Sequence, residues 1–541
     1  MTRSDAGFRD LLIRQSRWLV LAFAALAATA TWVATRHGPS MSPDSVTYLS
    51  AARNLASGHG YTDFTGQALT NFPPGYPSLI AVARVVGFSV ATGARIVNAL
   101  SFAAIVLLAW VLVRRHTASM LIALGTTALV AISPALINIA SNAWSEPLYC
   151  ALALAFIVAL EHAIVPSEHQ VQSIAAAAVL AGLAFLVRYV GLSLLVVGSL
   201  VLVASSYRDG MRAASRRLAQ FWIVGFVIPG IWILRNAGSG TRFILGPRVA
   251  APESWGSFVG RFLNGVADLF TPNGIPATTA LVAVVVGLGG LGFYVSRSRR
   301  PDPTPRTPPR VLALVVYVAV YVVVVVSAGK TAGASVNQRI VTPLYVPALI
   351  LGAVLLEVTI RRLSSVGEGR WAAIAPGFVV MVVLTYLALT AVSFASQTWR
   401  NGETARGYTQ KNSSGFQLVP IVEALPPRAL IATNRPWTLF EATGRQPIVP
   451  SPGRVAPELS LIPISVSELD SQSCKRPVYL AWFTDGAQWP YTPAQLARHL
   501  SLHPVQTLSD GAVLYSIRPH DPDCSGPVAS KRRGIVDRDA S

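Results

Sequence analysis

The chain is poor in charge. Of its 541 residues only 13% are charged and 52% are hydrophobic, whereas a soluble domain carries about a quarter charged residues. That shortage excludes a soluble globular protein, and the mean hydropathy of +0.49 agrees. Carboxylates are scarcest: 25 Asp and Glu stand against 44 Lys and Arg, for a net charge of +19. In a soluble protein such an excess would raise nucleic acid as a partner. Here the arginines form no single basic stripe. They sit at the ends of apolar blocks, as in Arg114-Arg115, Arg208 to Arg217, Arg297 to Arg310 and Arg361-Arg362, where the positive-inside rule places cytoplasmic loops. No internal repeat is visible. Ionisable residues are nearly missing from the middle of the blocks, which disfavours a transporter or lipid flippase with charges at the midplane.

The apolar blocks predict an all-α polytopic membrane bundle of about eleven transmembrane helices. They lie near 18–35, 94–113, 118–137, 146–163, 174–187, 190–205, 219–235, 277–295, 311–328, 340–357 and 371–395, and Pro77–Val90 adds a short or interfacial helix. Arg3, Arg9, Arg14 and Arg17 precede the first block. Its length favours a retained signal-anchor over a cleaved signal peptide. A cytoplasmic N-terminus and an odd span count put the C-terminus outside. The expected organisation is a membrane domain over 1–395 with outer loops 37–76 and 237–276, then a small soluble extracytoplasmic α/β domain over 396–519, then a disordered tail over 520–541. Within the α/β domain, Ala429–Ala432, Val478–Phe483 and Ala512–Ile517 read as strands, and Pro436–Thr443 and Thr492–Leu500 as helices.

Because acids are rare in the first half, their positions carry information. Asp44 and Asp63 fall in the first outside loop and Glu146 in the next outside turn. A carboxylate near a bilayer is costly and has a job or a partner. Asp44 opens a helix that Gly58 would end, so it could be a mere N-cap. Glu146, in Ser145-Glu146-Pro147, could merely favour the helix dipole. Two such acids on one membrane face favour a site. Arg188, Arg235, Lys330 and Arg339 reach the same face against the positive-inside pattern. Each alone could snorkel to lipid phosphates; several together suggest a bound anion. Asn71-Phe72-Pro73-Pro74-Gly75-Tyr76-Pro77 is a rigid elbow, since each residue before a proline is forced extended.

These segments, in this order, resemble the GT-C superfamily of polytopic glycosyltransferases, in the branch of the protein O-mannosyltransferases and the lipid A aminoarabinose transferase. The resemblance rests on Asp44 to Leu49 with Asn54-Leu55 and Gly58 to Tyr61, Pro73 to Pro77, Ser145 to Tyr149, Arg188-Tyr189, Trp232 with Arg235-Asn236, and Arg339 to Pro343. It implies a polyprenyl-phosphate-linked sugar donor used on the outer face of the cytoplasmic membrane, with a glycan, lipid or protein hydroxyl as acceptor. It implies Asp44 as the base and Glu146 as the second acid. The cationic residues would be donor-phosphate ligands, with Tyr48, Tyr76, Tyr189 and Asn236 lining the substrate. Some members of the superfamily bind a divalent metal such as Mg or Mn, and Asp44 and Glu146 would be its ligands here. The acid that would neighbour Asp44 is replaced by Ser45. The competing class is a non-catalytic membrane scaffold whose outer domain binds a partner.

Three cysteines complete the inventory. Cys150 falls inside a span and is expected as a buried thiol. Cys474 and Cys524 fall in the tail, placed outside, where a disulfide is permitted. They would pair if the strands beside them are neighbours; otherwise they are two free thiols.

Overall fold

A computed structural model describes residues 3–206, 209–238, 254–271, 311–331, 336–365, 370–403, 417–451, 462–484 and 491–519. The chain divides into two compact units. The first comprises Met1–Pro39 and Thr70–Thr404, the second Ser40–Leu69 and Ala405–Ser541.

The first unit is helical. Its described helices are α1 (Arg3–Ala34), α3 (Gly75–Val85), α4 (Val90–His116), α5 (Met120–Ala131), α6 (Pro134–Ala140), α7 (Glu146–Ala163), α8 (Gln170–Val187), α9 (Leu192–Ser206), α10 (Met211–Gly238), α11 (Trp255–Phe270), α12 (Val311–Thr331), α13 (Gln338–Val341), α14 (Tyr345–Ser365) and α15 (Arg370–Glu403). Among the described residues eight helical spans are long and apolar enough to cross a membrane, or nine if the bent α5–α6 pair counts as one. The protein is a multi-pass membrane protein.

These nine fall on nine of the eleven expected blocks. The expected span at 277–295 lies outside the described residues, and that at 371–395 falls within α15. The block at 118–137 needs correction: it is two helices meeting at 40°. The reason is local. Ser133 caps α6 through its side chain and Pro134 occupies the first helical turn, so the chain restarts rather than continues.

The core is built from small residues. Ala24, Ala27, Ala30 and Ala34 of α1, and Ala177, Ala178, Ala181 and Ala184 of α8, are buried. Small faces let helix backbones approach where lipid offers no hydrophobic drive. α8 packs on α7 and α10, and α1 on α4.

Two helix junctions, the turn between α8 and α9 and the break between α13 and α14, are tightly held. α8 ends at Arg188, whose backbone is extended (φ −150°, ψ 135°), and a 3-10 turn over Tyr189–Gly191 leads into α9. Gly191 sits so close to the α8 terminus that a Cβ there would lie 2.3 Å from the Phe185 amide nitrogen and 2.6 Å from the Ala184 carbonyl oxygen. Gly75 of the proline elbow meets the same terminus, its would-be Cβ 2.7 Å from the Leu186 carbonyl oxygen. The second break joins α13 to α14 through a 3-10 turn over Thr342–Leu344. Tyr321 donates its hydroxyl to the Ile340 carbonyl at 2.8 Å and Tyr317 to the Pro343 carbonyl at 3.4 Å. Carbonyls released inside an apolar bundle need such partners.

The second unit joins helix α2 (Pro43–Ala56) to an α/β fold with described helices α16 (Leu418–Glu423), α17 (Pro436–Thr443), α18 (Val466–Ser473) and α19 (Pro493–Leu496). Its strands are β1 (Leu430–Thr433), β2 (Pro447–Pro450), β3 (Pro463–Ile464), β4 (Val478–Trp482), β5 (Ser501–Thr507) and β6 (Val513–Arg518), in sheet order β3-β2-β1-β4-β6-β5. β1, β2, β3 and β4 run parallel; β6 is antiparallel to β4 and β5. β4 is buried on both faces. Val478 and Leu480 enter one core with Ala432 and Ile517, while Tyr479 and Ala481 enter another with Ile431 and Leu514. That is why it reads as a continuous apolar run.

Two expectations for this region change, and a strand is present that was not expected. The first outside loop, expected with the membrane domain, belongs through Ser40–Leu69 to the second unit. The reason is an apolar cluster of Val46, Phe64 and Trp437 with Phe440 packed against it. The helix expected at 492–500 is only Pro493–Leu496, started by a capping box of Thr492 and Gln495. β5, rich in polar residues and interrupted by Pro504, is an edge strand whose pattern carries little signal. β4 and β6 are neighbours, Cys474 is disulfide-bonded and Cys150 is a free buried thiol. The expected partner, Cys524, lies outside the described residues.

The crowding at Gly191 gives a stability test. Gly191→Ala should lower the unfolding transition of the detergent-solubilised protein by about 1–3 kcal/mol, the usual cost of overpacking. Gly125→Ala, at a helical site with nothing within 4 Å of the added carbon, should be neutral or stabilising. Equal behaviour of the two variants would refute the close approach.

Candidate functional site

Helix starts and breaks in the first unit deliver its polar groups. Glu146 begins α7 and is buried, with 1% exposure. Arg188 comes from the α8–α9 break and Arg339 from α13, which Asn337 caps by accepting from the Ile340 amide. Both guanidinium groups donate to the same carboxylate oxygen, Glu146 Oε1. Arg188 Nη1 does so at 2.5 Å, and Arg339 Nε makes a shorter contact. Arg188 also donates to Ser145 Oγ at 3.3 Å. The Arg339 guanidinium stacks on the Trp144 ring, 4.2 Å from its centroid. Oε2 of Glu146 is buried and has no hydrogen-bond partner among the described residues. One carboxylate thus pairs with two guanidinium groups.

Next to it Tyr189 acts as a hub. Its hydroxyl donates to the Thr70 carbonyl at 2.5 Å and accepts from Trp232 Nε1 at 3.1 Å and Asn236 Nδ2 at 3.4 Å. Arg235 donates to Asn236 Oδ1 at 3.0 Å and lies over the Trp232 ring. Arg188, Tyr189, Arg235 and Asn236 are therefore joined in two linked clusters across the α8–α9 break and the end of α10. Lys330 stands apart, its ammonium 4.8 Å from the Trp255 ring centroid and 5.9 Å from that of Phe258. α13 is tied to its surroundings by Gln338, which donates to the Asp268 carbonyl and accepts from Asn138. Burial pushes the Asp268 carboxyl above its ordinary range.

In the second unit Asp44 is half-buried in the first turn of α2. Capping falls to another residue: Ser42 accepts from the Ser45 amide. Gly58, at φ +77°, follows the helix end as expected. Asp63 is a loop staple, its Oδ1 accepting from the Thr65 amide and hydroxyl and from the Gln67 amide. Tyr48 and Tyr76, expected to line the substrate, are buried at 2% and 0% exposure.

Oε1 of Glu146 faces two guanidinium groups, whose charge opposes a divalent cation at this carboxylate. The dipole reading of Glu146 is also incomplete, because it pairs across the fold. Sequence reasoning missed Trp144 and the two tyrosines that hold the second break. Of these only Trp144, two residues before a buried acid, left a local signal.

The apolar spans make this a polytopic membrane protein, and its likeness to solved structures gives it the GT-C fold. The model of the family described as dolichyl-phosphate-mannose-protein mannosyltransferase matches residues 64–234, which hold Glu146 and Arg188. Among solved structures, the chain is similar to ArnT from Cupriavidus metallidurans in the apo state, with 16% identity, TM-score 0.63, and coverage of 95% of this chain and 100% of that one. The same protein bound to undecaprenyl phosphate matches with 17% identity, TM-score 0.60, and coverage of 95% and 99%. The archaeal oligosaccharyltransferase AglB from Archaeoglobus fulgidus, in complex with an inhibitory peptide and a dolichol-phosphate, matches with 11% identity, TM-score 0.51, and coverage of 86% and 70%. Comparison with curated protein sequences gives no match.

Removing a buried partner strands the charges it answered, at about 3–5 kcal/mol. Glu146→Ala should therefore destabilise the solubilised protein strongly. Arg188→Ala should cost less in that background than alone, with a coupling of about 0.5–3 kcal/mol in a double-mutant cycle. Strict additivity would show that the pair is not formed.

Proposed function

We propose that this chain is an inverting glycosyltransferase. It moves a hexosyl or pentosyl group from a polyprenyl-phosphate donor to a hydroxyl of a glycan, lipid or protein acceptor. The observation that carries the reading is the pair Arg188 and Arg339, held on one buried carboxylate from two helix junctions. Planar guanidinium donors suit a phosphate. The similar ArnT and AglB structures hold undecaprenyl phosphate and dolichol-phosphate. A lipid-linked donor also accounts for an enzyme built in a membrane. The reaction is assigned to the outer face of the cytoplasmic membrane, with the N-terminus cytoplasmic and the C-terminal α/β domain extracytoplasmic.

In this mechanism the acceptor oxygen attacks the anomeric carbon and its proton passes to the Asp44 carboxylate. The bond between the anomeric carbon and the phosphate oxygen breaks, and the electron pair leaves with the polyprenyl phosphate. Arg188, Arg339, Arg235 and Lys330 are the groups assigned to the phosphate. A single displacement inverts the anomeric centre. Glu146 keeps two of these arginines oriented before the donor arrives. No step is routed through a metal.

Membranes supplied with radiolabelled polyprenyl-phosphate sugars should pass label to an acceptor. Asp44→Asn should lower turnover by about 10²–10⁴-fold with an unchanged unfolding transition. Near-normal turnover would remove Asp44 from the mechanism. Loss of a charged hydrogen bond of about 1.5–3 kcal/mol should raise the donor KM of the Arg188→Ala or Arg339→Ala enzyme. If Ala at 188, 235, 330 and 339 all leave that KM normal, the phosphate binds elsewhere. The orientation has its own test. On intact cells a membrane-impermeant thiol reagent should label Cys474 only after reduction. Labelling that needs broken cells would place the tail inside.

A further inference from the structure

We propose that the C-terminal α/β domain is a positioning element for Asp44, acting through the Arg53–Glu441 pair. The inference rests on the reading of Asp44 as the base. Asp44, far from the C-terminal domain in sequence, nevertheless shares a compact unit with it, since Ser40–Leu69 clusters with the C-terminal residues. The join is specific. Arg53 Nη2 and Nη1 donate to Glu441 Oε1 and Oε2 at 2.7 and 3.1 Å, across 388 residues of sequence. A two-pronged guanidinium–carboxylate contact fixes direction as well as distance, and the Glu441 side chain is only 14% exposed.

An apolar pin lies beside the pair. Val46, Phe64 and Trp437 are buried together, and the Phe64 and Phe440 rings are 4.8 Å apart. Gln446 donates to the Phe64 carbonyl at 3.4 Å. Phe64 is presented by a loop that Asn54 gathers, donating to the Thr62 and Asp63 carbonyls.

Helical geometry carries this grip to the acid. Val46 and Arg53 are seven residues apart and share one face of α2, the face turned to α17. Asp44 lies two residues before Val46, rotated by about 200° from it. The docking face thus leaves the acid off the interface, and Asp44 is half-buried rather than sealed. α2 is a single helix capped at its start by Ser42. A shift at Arg53 therefore moves Asp44, roughly 13 Å along the axis. A misplacement near 1 Å at a reacting group costs on the order of 100-fold in rate.

The test is a charge swap in the full-length protein. Arg53→Glu and Glu441→Arg should each lower kcat roughly ten- to hundred-fold with the donor KM unchanged, and the double swap should restore most of it. Arg53→Lys and Glu441→Gln, which keep the packing but lose the fork, should lower kcat in the same direction should a swapped protein fail to fold. In an Asp44→Asn enzyme the Glu441→Gln change should cost nothing further. Full kcat in all single variants, or an undiminished further loss in the Asp44→Asn background, would overturn the proposal while leaving Asp44 as base. Full activity of Asp44→Asn alone would instead remove the reading on which it rests.

Discussion

A carboxylate buried in a membrane bundle has to be answered by positive charge, and at Glu146 it is answered twice. The cost of taking an ion from water is several kcal/mol even after relaxation, so the bundle is arranged around supplying Arg188 and Arg339. Neither arginine comes from the middle of a regular helix. Arg188 stands at the extended residue that ends α8, and Arg339 lies in a short helix before a 3-10 turn. A guanidinium needs room for its planar fork, and helix breaks provide it.

Breaks inside a membrane protein carry their own cost, because released carbonyls lack water. Tyrosine hydroxyls answer the second break, while close packing secures the first. Gly75 and Gly191 let the proline elbow and the next helix rest on the terminus of α8 with no side chain between. Tyr189, one residue past the break, then ties Thr70 to Trp232 and Asn236. The elbow, which carries no reactive group, thereby contributes to where Arg188 stands.

The second unit solves a different problem. Its sheet is buried on both faces at β4 and flanked by helices, and its strands past β4 turn antiparallel. To this scaffold it binds α2, using one ion pair and an aromatic cluster instead of a covalent neighbour. The residues connecting α2 to the membrane helices are short in sequence, yet its packing partners lie near the far end of the chain.

Much of this was legible in the sequence. Membrane class and nine of the spans follow from apolar block length, since bilayer thickness and backbone satisfaction leave few alternatives; the likeness to the GT-C fold rested on the ordered motifs. The α17 helix was readable from Pro436 to Thr443 and β4 from its apolar run, because burial on both faces writes itself into composition. The polar edge strand β5 and the two-residue β3 left no such mark. The scarcity of acids singled out Asp44 and Glu146, and the arginines that break the positive-inside pattern singled out Arg188, Arg235, Lys330 and Arg339. What the sequence could not decide is pairing. That Glu146 holds Arg188 and Arg339 while Lys330 rests on aromatic rings, and that α2 packs with α17, depends on contacts between residues tens to hundreds of positions apart. Periodicity and composition report which face of a helix is buried. Only the tertiary structure specifies what it is buried against.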